Sequence, residues 1–157
     1  MKPSTICLTF TDQAENAVNH YASVFKDLKV TNVVRMGPDG PSDKGNVLLV
    51  TFQMNGVNYM ALNGGPSFTF THGFSIMVNC DTQDEIDYVW ERLCEGGKEV
   101  ECGWLVDKFG VSWQVVPTQI GQLIGDPDRE KSKRVFAAML KMKKMHLPTL
   151  LAAYEGK

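Results

Sequence analysis

Few residues in this 157-residue chain could do chemistry, and none stands at a spacing that does it unaided. The three histidines are scattered: His20 falls within a helical stripe, His72 at the mouth of a strand, and His146 beside Pro148. No histidine has a carboxylate or cysteine at a spacing that reads as a nucleophile and its base, so a triad is unsupported. His72 is the one placed to reach a pocket. Cys7, Cys80, Cys94 and Cys102 form no CxxC pair and read as reduced thiols of a cytoplasmic protein. Glu101 adjoins Cys102 and no basic residue lies within two positions, a setting that disfavours the thiolate and suggests packing. Asn63-Gly64-Gly65 follows a strand but lacks the lysine and the helix of a phosphate loop, so it reads as a turn joining two modules.

The composition narrows the partners. At 43% hydrophobic and 22% charged residues the chain reads as one globular domain, 1–157, with core enough to need no disulfide or metal staple. A net charge of −2 argues against nucleic acid as a partner. Apolar runs such as Asn46–Phe52 fall far short of the roughly 18 residues of a membrane span, and no signal-peptide core is visible. The lysines and arginines between Arg129 and Lys144, with Asp126, Asp128 and Glu130 at their start in an acidic chain, read as a solvated helix face.

The elements that must position these residues follow from periodicity. Thr5–Phe10 alternates as a strand; Ala14, Ala17, Val18, Tyr21 and Phe25 form a helical stripe; Val30–Met36 is a strand. Gly37–Gly45, with its glycines and prolines, is the clearest loop. Asn46–Met54 and Val57–Leu62 form a hairpin across Asn55-Gly56. The pattern then restarts with a strand at Phe74–Asn79, a helix start at Asp81-Thr82 and a stripe of Ile86, Val89, Trp90 and Leu93. Glu95-Gly96-Gly97 ends that helix, and strands at Cys102–Val106 and Val111–Val116 flank Lys108-Phe109-Gly110. Gly56–Leu62 aligns with Gly110–Val116, and the stripe of the first helix aligns with that of the second. The fold class expected is therefore α+β, a β-α-β-β-β module (4–66) followed by a degenerate copy (72–118). A helical appendage (119–157) follows. Asp126-Pro127-Asp128 opens its first helix as N-cap, N1 proline and acidic first turn, Lys141, Lys143 and Lys144 complement that helix's C-terminus, and Pro148 opens a last helix through Tyr154.

The tandem module resembles the vicinal oxygen chelate superfamily, which holds glyoxalases, bleomycin-resistance proteins and extradiol dioxygenases. Ala61–Pro66, Cys102–Pro117, Asp126-Pro127-Asp128 and Arg134–Lys144 resemble its PhnB-like branch, whose family label mentions demethylubiquinone methyltransferase. The resemblance implies two curled mixed sheets around a cup. In metal-using relatives each module offers one ligand, usually His, from its first strand and one Glu from its last. Those last-strand positions fall here on Met60 and Gln114, and neither first strand holds a histidine; His72 lies one or two residues early. No cofactor and no metal are therefore expected. If Gln114 points into the cup so does Val116, while Trp113 and Val115 face the helices; by the repeat, Met60 and Leu62 point inward, and Tyr59 and Ala61 outward. Trp104 could face either way. The expected ligand site is then Gln114, Met60, Leu62, Asn63, Thr9, Ser75, His72 and Trp104, mostly apolar with a few polar handles.

That site suits a small organic molecule bound without a metal, as in resistance proteins. The alternative is an enzyme of lyase, isomerase or dioxygenase kind acting on a small oxygenated substrate. Methyl transfer finds no support, because no glycine-rich strand–turn–helix would cradle S-adenosylmethionine. A homodimer is expected from the apolar stripe Phe136, Met139, Leu140, Met142 and Met145, since methionine adapts well to interfaces.

Overall fold

The computed structural model describes residues 3–42 and 45–157. The chain divides into two compact units, one ending at Phe70 and the other beginning at Thr71.

The first unit runs β1 (Ile6–Phe10), α1 (Ala14–Val24), β2 (Lys29–Gly37), β3 (Gly40–Pro41), β4 (Asn46–Met54) and β5 (Val57–Asn63). Its sheet has the order β1-β5-β4-β2-β3, with β1 parallel to β5 and the other pairs antiparallel. The helical stripe is real: Ala14, Ala17, Val18 and Tyr21 are buried, against Leu8, Phe10, Val50, Phe52, Tyr59 and Ala61 of the sheet. Phe25 is buried too, but it stands after the last helical turn as the C-cap, its backbone extended. Asn55 and Gly56 both have positive φ, 50° and 75°, the geometry of a type I′ turn. The glycine-proline loop departs from expectation by folding back on β2 as β3, through Met36↔Pro41 and Gly37↔Gly40. Asp43 and Lys44 of that loop lie outside the described residues.

The second unit runs β6 (Ile76–Cys80), α2 (Gln83–Cys94), β7 (Lys98–Glu99), β8 (Trp104–Val106) and β9 (Ser112–Pro117), then α3 (Ile120–Ile124), α4 (Arg129–Met139) and α5 (Leu147–Glu155). Its sheet order, β6-β9-β8-β7, repeats that of β1-β5-β4-β2. Ile86, Val89, Trp90 and Leu93 are buried, as their first-unit counterparts are. Thr82 caps α2 in a capping box with Glu85. The turn before β8 is tighter than expected, since Cys102 and Gly103 take φ of 58° and 80°, and the strand starts only at Trp104.

The C-terminal helices differ most from the expectation. Asp128, not Asp126, is the N-cap of α4, accepting from the backbone N–H groups of Glu130 and Lys131. Pro127 therefore precedes the helix instead of opening it. Asp126 accepts from the Asp128 N–H and from the Tyr154 hydroxyl, which ties α5 to the start of α4. Lys141, Lys143 and Lys144 lie beyond α4, whose last turn holds no basic residue. Their segment docks on the sheet: Cys102 and Gly103 donate to the carbonyls of Met142 and Lys143 at 2.8 and 2.7 Å, and Lys144 pairs with Asp87. Gln83 seals the join, accepting from Leu147 N–H and donating to the Met145 carbonyl.

A buried carboxylate organises the β8–β9 turn. Asp107 is 3% exposed and accepts from the N–H groups of Phe109 and Val111 and from Trp113 Nε1 at 2.8 Å. Asp107→Ala strands the indole N–H in the core, and should cost about 3 kcal/mol in a urea titration, each bond to a charged group being worth roughly 1.5–3. Asp107→Ala in a Trp113→Phe background should cost less, the difference giving a coupling energy of about 1–2 kcal/mol.

Candidate functional site

Strand pleat decides which side chains each sheet presents away from its helix. In the first unit Tyr59 and Ala61 are buried on the helix side, so Met60 and Leu62 stand half-buried on the open side. Register places Cys7 beside Met60 and Thr9 beside Leu62, with Thr51 and Leu49 on the other flank. The Thr9 hydroxyl lies 3.8 Å from Cys7 Sγ, and Thr51 bonds to Thr31 at 2.8 Å. This face is apolar at its centre with hydroxyls at its margins.

Asn63 has a different situation. Its Oδ1 accepts from the Ala14 N–H at the start of α1, and its Nδ2 donates to the Val47 carbonyl, both at 2.9 Å. The amide is committed to joining helix and sheet. With Asp12, Glu15, Asn16, Arg35, Asn46 and Val47 it also borders a polar cleft of about 420 Å³, in which Arg35 is paired with Glu15.

In the second unit Trp113 and Val115 are fully buried on the helix side and Gln114 is half-buried on the open side. Trp104 is the direct cross-strand partner of Gln114, and cross-strand partners share a face, so the tryptophan stands on the open side as well. Met77 flanks Gln114 from β6. The segment before β6 lays two polar side chains over β9. Gln114 Nε2 donates to Ser75 Oγ at 2.9 Å, and the Ser112 hydroxyl lies 3.2 Å from His72 Nδ1. Sequence spacing could not show this second pair, because its members are 40 residues apart and meet only through the β6–β9 register. Ser112 is 3% exposed, so its hydroxyl orients the imidazole and does not meet a substrate.

His72, Ser75, Trp104 and Gln114 are thus brought together on one face, and Thr9, Met60 and Leu62 on another. His146 is the N-cap of α5, with Nδ1 accepting from the Thr149 N–H. All four cysteines are free thiols. Burial, with Glu85 and Asp81 adding to it, pushes Cys80 up to about 11; burial, with Glu99 adding, pushes Cys94 up to about 11.

A family profile described as 3-demethylubiquinone-9 3-methyltransferase matches residues 2–116. Among solved structures the chain is similar to the PhnB protein of Bacillus cereus, at 34% identity and a TM-score of 0.66 over 73% of this chain and 99% of that one. A Pseudomonas aeruginosa protein matches at 20% identity and a TM-score of 0.61, over 74% and 98% of the two chains. A fosfomycin resistance protein, FosX, of Listeria monocytogenes, in complex with Mn(II) and dihydroxypropylphosphonic acid, matches at 16% identity and a TM-score of 0.58, over 78% and 97%. No curated protein sequence matches the chain.

The thiols should separate by reactivity. With a pKa of about 11, Cys80 and Cys94 hold only about one part in a thousand of thiolate at pH 8. Titration with a chromogenic disulfide should modify exposed Cys7 first and leave Cys80 and Cys94 silent until denaturant is added; peptide mapping checks the order.

Proposed function

The chain belongs to the 3-demethylubiquinone-9 3-methyltransferase family, in the PhnB-like branch of the vicinal oxygen chelate superfamily, and we propose that it binds a small organic molecule without a metal, in the manner of glyoxalase-type resistance proteins. The observation that carries this reading is the Gln114 amide, held by Ser75 on an open sheet face directly opposite Trp104. A neutral amide beside an aromatic ring is a recognition element for an organic ligand: the ring supplies contact area and the amide fixes orientation. Thr9, Met60 and Leu62 supply a second, apolar face of the same character.

The donors argue against a hard divalent ion. The superfamily resemblance puts the last-strand ligand positions on Met60 and Gln114, and their parallel-strand partners in register are Cys7 and Met77. A thiol, two thioethers and a neutral amide offer none of the anionic oxygens that Mn²⁺ or Mg²⁺ requires. Among the described residues no three of His, Cys, Asp and Glu converge. The residues present do not fit the ion.

Methyl transfer, which the family description names, is poorly supported by the local structure. The strand-to-helix turns are Thr11-Asp12-Gln13 after β1, Asp81-Thr82 after β6 and Thr118-Gln119 after β9, and none contains a glycine through which backbone amides could approach S-adenosylmethionine. Gly64-Gly65 is followed by irregular chain up to β6. We place the protein in the cytoplasm with its thiols reduced; among the described residues no helix is long and apolar enough to cross a membrane.

A homodimer completes the proposal. Phe136 and Leu140 stand one helical turn apart with 46% and 54% of their surfaces exposed, an apolar pair suited to a second copy. Met145 is buried in its own unit, and Met139 and Met142 are half-buried, so the self-association stripe is narrower than the sequence suggests.

Calorimetry against a panel of small aromatic and carbonyl compounds should find a micromolar ligand, and Gln114→Ala should weaken it about tenfold, near 1.4 kcal/mol. S-adenosylmethionine should show no heat; micromolar affinity for it would overturn the exclusion of methyl transfer. Elemental analysis should find well under one metal per chain and no change in Gln114→Ala. A metal per chain that disappears in that variant would refute metal independence. Sedimentation should show a dimer that Phe136→Glu dissociates.

A further inference from the structure

Resting on the reading that the open faces bind small organic molecules, the donors of the second unit say which class. We infer that this face takes an aromatic carboxylate: a flat anion whose ring lies on Trp104 and whose oxygens meet a set of donors including Lys98.

The argument is an inventory of what the face presents. β7 pairs with β8 through Lys98↔Val106 and Glu99↔Leu105. Leu105 is fully buried on the helix side, and Glu99 accepts there from Trp90 Nε1 at 3.1 Å. Lys98 is therefore on the opposite, open side, in the cross-strand row Lys98–Val106–Ser112. The neighbouring row is Trp104–Gln114–Met77. Strands lie about 4.8 Å apart, so the lysine stem spans Val106 and its ammonium comes within reach of the groups around Ser112. Among the described residues of these rows and of β6, Lys98 is the one full charge and no carboxylate occurs.

The hydrogen-bonding groups are biased the same way. Gln114 gives one amide hydrogen to Ser75 and keeps the other. Ser75, accepting on its oxygen, keeps its own O–H for a ligand. The Ser112 hydroxyl, 3.2 Å from His72 Nδ1, holds the imidazole at the edge of this face. Two neutral donors, the second Gln114 amide hydrogen and the Ser75 hydroxyl, stand with the Lys98 ammonium, and no carboxylate of these rows competes for them. A ligand rich in acceptors satisfies this set, while an amine would leave the donors unpaired and meet like charge. Trp104 adds the preference for a planar ring. Ser112 is a positioning residue, acting through His72.

The test uses 2-naphthoate as the probe, with 2-naphthamide and 2-naphthylmethylamine as the neutral and cationic analogues. Binding is read by amide chemical-shift mapping and quenching of tryptophan fluorescence on the full chain. The naphthoate should bind at least about tenfold more tightly than either analogue, with shifts on β8 and β9. Gln114→Glu, which adds a repelling carboxylate at a half-buried position, should cost a further factor of about ten, and Lys98→Gln about threefold. Trp104→Ala should abolish the quench, with Trp104→Phe as the substitute if the alanine variant fails to fold. Ser112→Ala should weaken binding and Ser112→Thr restore it. Equal affinity for all three probes, or shifts confined to Thr9, Met60 and Leu62, would overturn the inference and leave the broader binding reading standing. No binding of the naphthoate, with binding of another compound that Gln114→Ala weakens, would do the same. No binding of any organic compound would bring down both.

Discussion

The open face of the second unit depends on where Trp113 points, and Asp107 fixes that. A tryptophan in a strand can lie on either side of the sheet, and a register slip of one residue would exchange core and surface along all of β9. The Asp107 carboxylate, buried at the β8–β9 turn, accepts the indole N–H from the helix side. Its other oxygen closes the turn by accepting from the Phe109 and Val111 N–H groups. Burying a carboxylate is expensive unless its lone pairs are satisfied, and here three N–H groups offset that cost. Once Trp113 is pinned, alternation gives Gln114 no choice but the open side, and antiparallel pairing carries Trp104 to the same side. The make-up of this face therefore depends on a bond on the far side of the sheet.

The first unit reaches the same alternation by other means. Tyr59 occupies the position of Trp113 and stacks on Phe52 with ring centroids 5.1 Å apart and planes within 10°. Burial pushes the Tyr59 hydroxyl up, so the ring stays neutral in its apolar bed. Helix and sheet are locked by Asn63, which bonds α1 and β4 together. The two halves thus share topology and pleat but not the interactions that enforce them. That explains why their sequences match in apolar spacing and hardly at all in identity. Periodicity is set by the backbone, which both share, while the identity of each pinning residue is a local solution.

The same distinction explains what could be read from the sequence. The stripes Ala14–Tyr21 and Ile86–Leu93, the Asn55-Gly56 hairpin and the inward parity of Met60, Leu62 and Gln114 rest on periods of 3.6 and 2, which local composition reveals. The two-residue strands β3 and β7 carry no period; they exist because a neighbouring edge pairs with them. Asp128 caps α4, and Asp126 instead accepts from the Tyr154 hydroxyl, a contact across 28 residues that local spacing does not reveal. The Cys102-Gly103 turn fixes where β8 begins, and it is held by carbonyls of the segment after α4. For the candidate site, the faces of Met60, Leu62 and Gln114 were legible, but the Ser112–His72 pair and the side taken by Trp104 were not. Each needed the register between strands, and register is a tertiary quantity.

Alternation also separates the residues that hold the core from those presented on the open faces. Gln114 lies between Trp113 and Val115, both fully buried, and Met60 lies between Tyr59 and Ala61, also buried. Changing Trp113 or Ala61 disturbs a close-packed interior, where even one methylene is felt. Changing Gln114 or Met60 alters a half-exposed side chain whose loss the core barely registers. The residue types at those two positions can therefore change while the module keeps its strands, register and helix packing. The architecture fixes which positions are presented, and the residue types at those positions set the chemistry of each face. Core packing and surface chemistry are separated here by one peptide unit, since neighbouring residues of β5 and β9 serve the interior and the open face in turn.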